Sequence, residues 1–171
     1  MTEPSIRLDS HSESQTAAIG AAIAGWLQPG DILLLHGDLG AGKTVLAKGI
    51  GTALGVPEVM SSPTFALVNE HQTAPGQSIT RLTHLDLYRL GPEDLDSFGY
   101  GDIIDSADAV SLIEWPERAG NHLPDRYLLI EIVATGPSER QLLLLPHPID
   151  EQWLARTADL RRCLTANGIA P

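Results

Sequence analysis

The sequence predicts an α/β fold, in which helices flank a mostly parallel sheet and an antiparallel hairpin extends that sheet. Two short apolar runs bounded by turn signals, residues 31–36 and 109–114, are typical of strands covered on both faces. A glycine-rich turn and an amphipathic stretch at 43–54 follow the first run, which is the order of a strand, a tight turn and a helix. Two further strand-like stretches, 65–71 and 79–87, flank a turn-rich connector and predict the hairpin.

The N-terminal elements follow from their end signals. Ser12, with Gln15 three residues later, indicates a capping box before a helix at 16–27, which a Pro-Gly pair ends. The strand at 31–36 and the helix at 43–54 come next, and Gly and Pro residues stop that helix. The predicted core-facing stripe of this second helix comprises Val45, Leu46, Ile50, Ala53 and Leu54.

The C-terminal half predicts one more buried strand and a closing strand pair. Residues 92–98 begin with a proline, which suits the first turn of a helix, and the apolar run 109–114 follows. Residues 126–133 and 140–145 predict the strand pair. The last element is a helix at 148–164, whose inward side chains are predicted to be Trp153, Leu154 and Leu160.

Length and charge indicate one domain without an affinity of its own for nucleic acid. The 171 residues predict a single domain over 1–171. A net charge of −11, with Lys43 and Lys48 as the two lysines, disfavours independent binding of RNA or DNA. One cysteine, Cys163, excludes an intrachain disulfide and fits a reducing compartment such as the cytoplasm. No apolar window is long enough to span a membrane, and the N-terminus lacks the features of a secretory signal.

Residues 37–44, GDLGAGKT, match the phosphate-binding pattern G-x-x-x-x-G-K-[ST] and make the expected fold P-loop NTPase-like. Glycines let the backbone curl so that its N–H groups converge on phosphate oxygens, and the next helix adds its N-terminal donors. In such a loop, Lys43 holds the terminal phosphates of ATP and Thr44 ligates Mg²⁺. The residues predicted to contact the nucleotide here are Gly37, Asp38, Leu39, Gly40, Ala41, Gly42, Lys43 and Thr44.

Two carboxylates are candidates for the metal and the attacking water. Glu114 closes the apolar run at 109–114, so its side chain emerges at the carboxyl edge of a strand, where ligands bind in open α/β sheets. Asp86 lies near the end of 79–87 and could contact Mg²⁺ or orient water. Either could instead be an ordinary surface acid, since the chain has 22 acidic residues.

The remaining polar residues give weaker signals of function. Ser62 and Thr64 could sense the γ-phosphate as a switch loop does, or could make local turn hydrogen bonds. Arg89 and Arg140 are possible charge stabilisers. The six histidines have no metal-ligand spacing, so most are expected at the surface or in local hydrogen bonds: His11, His36, His71, His84, His122 and His147.

Four motifs together resemble the TsaE (YjeE) family over about residues 10–145. They are GDLGAGKT at 37–44, SPTF at 62–65, HLDLYRL at 84–90 and IEWPE at 113–117. The resemblance implies the ATPase component of bacterial threonylcarbamoyladenosine synthesis in tRNA. Such a subunit hydrolyses ATP weakly alone and is stimulated by its partners TsaB and TsaD, so that it meets tRNA only through that complex.

The resemblance also implies roles for single residues. Lys43, Asp86 and Glu114 would be catalytic, and Thr44, Asp86 and Glu114 would serve Mg²⁺. Thr64 would belong to a nucleotide-responsive switch, Trp115 would lie beside the site, and Thr16 would lie on the adenine side.

Two alternatives remain open on the residues alone. A small-molecule kinase of the P-loop class fits the size and the loop, but it would need an arginine-bearing lid, and the arginines are scattered. A nucleotide-dependent scaffold without catalysis would need only the binding residues.

Overall fold

The computed structural model of the protein describes residues 4–171, and residues 1–3, the start of the stretch in which no secretory signal is predicted, lie outside it. Its strands are β1 (Ile6–Ser10), β2 (Ile32–His36), β3 (Val68–Gln72), β4 (Arg81–Asp86), β5 (Ala109–Glu114), β6 (Tyr127–Ala134) and β7 (Arg140–His147). Its α-helices are α1 (Glu13–Ala24), α2 (Lys43–Ala53), α3 (Tyr100–Ile104) and α4 (Glu151–Ala166). Two 3₁₀ segments, Pro92–Phe98 and Pro116–His122, complete the described elements.

One mixed sheet runs through the described chain in the order β1-β7-β6-β2-β5-β4-β3. The four central strands, β6, β2, β5 and β4, are parallel to one another. Antiparallel pairing is confined to the flanks, where β3 pairs with β4, and β7 pairs with β6 and β1. The predicted α/β class is confirmed, as are the hairpin and the closing strand pair.

The edge strand β1 is an element that the sequence analysis missed. Its residues alternate between buried Ile6, Leu8 and Ser10 and exposed Arg7 and Asp9, which is the period of a half-buried strand. Its partner β7 begins at residue 140, so nothing close in sequence indicates the pairing.

Three parallel strands end together, and this defines the edge of the sheet that matters for function. All of β5 and four of the five residues of β2 are buried, as their apolar runs predict. In the strand registers Glu114 lies opposite Leu35 on one side and opposite Asp86 on the other. The chain therefore delivers the turn after β2 and two carboxylates to one place.

Helices α1 and α2 pack closely enough that glycine is required where they meet. A Cβ on Gly49 would lie 2.1 Å from the carbonyl oxygen of Ala17, and one on Gly20 would lie 2.4 Å from that of Leu46. The predicted stripe of α2 is wrong at Ala53, which is exposed, and at Val45, which is half-buried. The close crossing selects small residues, so the buried face is Leu46, Ala47, Gly49, Ile50 and Gly51.

The first and last helices begin with side-chain caps. Ser12 Oγ accepts from Gln15 N at 3.1 Å, as predicted, but Gln15 Oε1 accepts from His11 N rather than from Ser12 N. In α4, Trp153 and Leu160 are buried as predicted, whereas Leu154 is 41% exposed. Leu154 follows Trp153 by one position and so lies about 100° around the helix from it, which turns it away from the core. Within residues 4–171, no helix has the length and apolar character to cross a membrane.

Candidate functional site

The turn after β2 is a glycine-rich loop that opens α2. Gly40 and Gly42 adopt φ values of 79° and 113°, which favour glycine because a Cβ is strained there. Gly37 is needed for another reason, since a Cβ on it would lie 2.5 Å from the carbonyl oxygen of Ile132. Gly42 gives α2 no side-chain cap, so the first-turn N–H groups and the positive end of the helix dipole are suited to an anion.

Lys43 folds back over this loop. Its Nζ donates to the carbonyl oxygens of Gly37, at 2.5 Å, and Asp38, at 2.9 Å. The ammonium also lies 4.0 Å from the ring centroid of Trp115. Burial lowers the pKa of Lys43, and the nearby carboxylate of Glu114 opposes that effect in part. The loop thus holds a buried cation through its carbonyl oxygens, next to the uncapped N-terminus of α2.

Glu114 connects the loop helix to the centre of the sheet. Its Oε1 accepts a hydrogen bond from Thr44 Oγ1 at 3.3 Å and lies 2.8 Å from Nε2 of His84. Glu114 is 3% exposed and His84 is fully buried. The structure therefore brings the predicted pair of Thr44 and Glu114 into direct contact, and adds a histidine that was expected at the surface or in a local bond.

Asp86 is tied to the segment between α2 and β3. Its Oδ2 accepts from Ser62 Oγ at 2.8 Å and from Thr64 Oγ1 at 3.0 Å. Its Oδ1 accepts from the backbone N–H of Tyr88 at 2.9 Å. Asp86 is thus a buried acid rather than a surface one, and it holds the two hydroxyls that the sequence singled out.

Trp115 has an unusual backbone conformation for its residue type. It has φ 59° and ψ 49°, in the left-handed region that non-glycine residues seldom adopt. Its ring packs on that of Tyr88 with centroids 4.8 Å apart. The local strain turns the indole from the end of β5 towards Lys43.

A cavity of about 490 Å³ unites these groups. Of the residues predicted to contact nucleotide or metal, those that line it are Thr16, Leu39, Gly40, Ala41, Gly42, Lys43, Thr44, Thr64, Asp86, Glu114 and Trp115. Gly37 and Asp38 do not line it but border a smaller hollow of about 290 Å³ behind the loop. Lining residues that were not predicted as ligands are Glu13, Val45, Ser62, Tyr88, Pro137, Ser138 and Arg140.

The far wall of the cavity comes from the start of α1 and from the turn between β6 and β7. Thr16 is buried, with its Oγ1 2.7 Å from Ser10 Oγ and 3.2 Å from the carbonyl oxygen of Ser12. Pro137 and Ser138 lie in the turn before β7. The sheet order, which sets β7 beside β6 and β1, brings these parts together. Thr16 was expected here from the family resemblance, whereas Pro137 and Ser138 carry no local sequence signal for the site.

The two candidate arginines differ in place. Arg140 donates from Nε to the carbonyl oxygen of Ala41 at 2.7 Å and from Nη2 to that of Gly40 at 3.3 Å. It therefore braces the loop through carbonyl groups. Arg89 does not line the cavity, and its guanidinium lies 4.4 Å from the ring centroid of Phe65, which is 84% exposed.

Comparison with known proteins gives one consistent family. The family model described as "Threonylcarbamoyl adenosine biosynthesis protein TsaE" matches residues 10–142. A relative from Bacillus subtilis, named tRNA threonylcarbamoyladenosine biosynthesis protein TsaE, is 36% identical over 132 residues, covering 75% of this chain and 77% of the relative. A relative of the same name from Nostoc sp. is 35% identical over 137 residues, covering 78% and 82%.

A solved structure agrees with these relatives. The crystal structure of Bacillus subtilis YdiB superimposes with a TM-score of 0.75 at 27% identity, covering 92% of this chain and 95% of that one. The glycine-rich loop, Asp86 and Glu114 all fall within the stretch that the family model matches. The chain therefore belongs to the TsaE family of threonylcarbamoyl adenosine biosynthesis proteins.

Proposed function

We propose that this chain is an ATP-binding, slowly hydrolysing subunit that drives the TsaB–TsaD complex in threonylcarbamoyl modification of tRNA adenosine. Residues 1–171 would act as one P-loop ATPase domain. The observation that carries the proposal is the meeting of Lys43, Thr44, Asp86 and Glu114 in one cavity at the carboxyl edge of the sheet. Membership of the TsaE family supports the tRNA-modification role.

The cavity suits a nucleoside triphosphate in size, and its glycine-rich loop offers a cation and helix N–H groups to the phosphates. About 490 Å³ lies within the usual range of small-molecule sites. The loop amides and Lys43 would bind the β- and γ-phosphates, while Thr16, at the opposite wall, would lie on the adenine side. Trp115 and Thr64 would flank the phosphates.

The residues present also fit Mg²⁺. Thr44 donates its hydroxyl hydrogen to Glu114, so its oxygen lone pairs stay available to a cation. Among residues 4–171, no cluster of three His, Cys, Asp or Glu side chains could hold a metal unaided. That fits an ion bound mainly by phosphates and water, with Thr44, Asp86 and Glu114 in support. Mg²⁺ would supply positive charge that offsets the negative charge on the oxygens of the transferring phosphoryl group.

Hydrolysis would be an in-line attack of water on the γ-phosphate. Lys43 and the loop amides would stabilise the charge that spreads over its oxygens, and Asp86 would orient the water or the 62–64 segment. Arg140 is the one arginine among the residues that line the cavity, and two of its nitrogens already serve loop carbonyls. Slow turnover without partners follows if an activating group must come from outside. A kinase lid would need further arginines over this cavity, and the lining residues include only Arg140.

Contact with tRNA would be indirect. The net charge is −11, and Lys43, one of the two lysines, is buried in the site. A surface of this charge repels phosphates, so TsaB and TsaD would supply the tRNA contact. The protein would then act in the cytoplasm, where bacterial tRNA is modified.

Calorimetry and turnover assays test the proposal together. We expect the wild-type protein to bind ATP in the presence of Mg²⁺, to hydrolyse it slowly, and to be accelerated by the TsaB–TsaD pair. Lys43→Ala should lose most binding because the charge on the terminal phosphates is then unmatched. Lys48→Ala is the matched control, since this exposed lysine lies on the same helix. No nucleotide uptake by the wild type would refute ATP binding, and equal turnover with and without partners would refute the partner-driven cycle.

A further inference from the structure

His84 is a fully buried polar residue that takes no part in the nucleotide binding and hydrolysis proposed above. It lies on β4 two positions before Asp86, and its Nε2 is 2.8 Å from Glu114 Oε1. The ring has no exposed surface, and Glu114 is 3% exposed. Because both side chains are buried in the sheet, water does not screen the contact between His84 and Glu114.

The two ring nitrogens of His84 have different surroundings. Nδ1 is buried and has no hydrogen-bond partner among the described residues, whereas Nε2 faces the carboxylate. An unpaired buried N–H group carries the full desolvation penalty of a lost hydrogen bond, and a ring nitrogen without hydrogen presents only a lone pair. The arrangement thus favours the form that carries its hydrogen on Nε2 and donates it to Glu114.

Glu114 Oε1 then accepts two hydrogen bonds, one from His84 and one from Thr44. No hydrogen bond between described residues goes to its other oxygen, Oε2, and Glu114 lines the cavity. Two donors on one oxygen fix the side-chain torsions of the carboxylate and point the other oxygen away from both donors.

We propose that His84 is a positioning residue that fixes the Glu114 carboxylate through its Nε2–H group, so that Thr44 and Glu114 together receive the magnesium that accompanies the nucleotide. The inference rests on the proposed function, because it concerns the same site. Partners that orient a metal-binding carboxylate typically change metal affinity by about 10- to 100-fold when they are removed. His84 itself would contact neither nucleotide nor metal and would act only through Glu114.

Two polar substitutions of His84 distinguish the effect of its hydrogen bond to Glu114 from the effect of changing a buried side chain. In His84→Gln the side-chain amide can reach the position of Nε2, whereas in His84→Asn it reaches only that of Nδ1. The probe is the nonhydrolysable analogue AMP-PNP, titrated calorimetrically with Mg²⁺ and again with EDTA. We expect His84→Asn to lose about tenfold or more of the affinity gained from Mg²⁺. The affinity in EDTA should change little, and His84→Gln should recover most of the gain.

His71→Gln is the matched control, because its amide reaches the position of Nε2 and so loses the contact made by Nδ1. His71 is also buried, and its Nδ1 lies 2.5 Å from Glu58 Oε1, away from the cavity. Its substitution should change stability without changing the gain from Mg²⁺. The inference is overturned if folded His84→Asn keeps the wild-type gain, or if His84→Gln loses as much as His84→Asn. If the wild type takes up no AMP-PNP at all, the proposed function fails instead, and this inference falls with it.

Discussion

At the residue scale, Lys43 is a buried charge that lowers the stability of the folded chain. Lys43 is 5% exposed, and its ammonium is held by two carbonyl oxygens and an aromatic ring rather than by a hydrogen-bonded carboxylate. Burial of a cation is unfavourable unless opposite charge compensates, and here the pKa of Lys43 remains lowered despite the nearby acids. The anionic ligand proposed for this site would supply the opposite charge that the folded chain alone does not fully provide.

Replacing Lys43 with Met tests this opposition through its pH dependence. Because the folded state binds the Lys43 proton less tightly than the unfolded state, charged Lys43 opposes folding at neutral pH. This opposition disappears as the pH rises from the lowered pKa to the unfolded value of 10.5. We therefore expect wild type to gain stability relative to Lys43→Met as the pH rises towards 10.5, as measured by urea unfolding midpoints.

Lys48→Met provides the comparison for that series. Lys48 is exposed on the same helix, so the stability difference between this variant and wild type should stay constant over the same pH interval. A constant difference for Lys43→Met as well would contradict the account of its burial.

The segment between α2 and β3 shows the limits of sequence reasoning at the scale of an element. A strand is predicted from residue 65, but the strand begins at Val68, and Phe65 is 84% exposed. Leu67 adopts φ 68°, and its carbonyl oxygen accepts from the N–H of Asp86 at 3.0 Å. Together with the side chain of Asp86, this bond fastens an otherwise exposed loop to the end of β4.

Removing the Asp86 side chain should loosen this segment. In Asp86→Ala the hydroxyls of Ser62 and Thr64 and the N–H of Tyr88 all lose their acceptor. We expect faster hydrogen exchange at the amides of Leu67 and Tyr88, measured by NMR without nucleotide.

Asp108→Ala serves as the control for that measurement. Asp108 accepts from Ser106 and Arg81 near the start of β5, at the opposite end of β4 and β5 from Asp86. Exchange at Leu67 and Tyr88 should not change in this variant. Unchanged exchange in Asp86→Ala would show that the backbone alone holds the segment.

Features whose signals lie within a few residues of one another could be predicted from the sequence, whereas contacts between distant parts of the chain could not. The buried strands β2 and β5 and the glycine-rich loop carry their signals within a few residues, and they are confirmed in the structure. The contact between Glu114 and His84 depends on the register of β4 against β5, which the sequence does not display. The sequence places His84 inside the strand-like stretch 79–87, and the structure shows that its neighbours Thr83 and Leu85 are buried as well.

At the scale of the whole molecule, α4 is part of the core although it lies beyond residues 10–142. Trp153 is 2% exposed and packs against Trp26 with ring centroids 5.9 Å apart. Arg156 makes two hydrogen bonds to the Asp31 carboxylate, at 2.7 and 2.6 Å, and so ties the helix to the residue before β2. The helix therefore supports the strand from which the loop emerges.

Adjacent residues of α4 should differ sharply in their effect on stability. Trp153→Ala removes a buried aromatic side chain and should lower the free energy of unfolding by about 3–5 kcal/mol. Leu154→Ala, at a position that is 41% exposed, should lower it by less than about 1 kcal/mol. Urea unfolding measures both, and similar losses at the two positions would mean that α4 is not docked as described.

The pairing of β1 with β7 has a consequence for how the protein is made. Ile6 lies opposite Leu144, and Ser10 lies opposite Arg140, so β1 is synthesised more than 100 residues before its partner β7. A nascent chain that is shorter than about 140 residues has no partner for β1, whatever else has formed. Completion of the sheet, and of the cavity wall that Thr16 and Arg140 share, therefore requires that residues 140–147 have been synthesised.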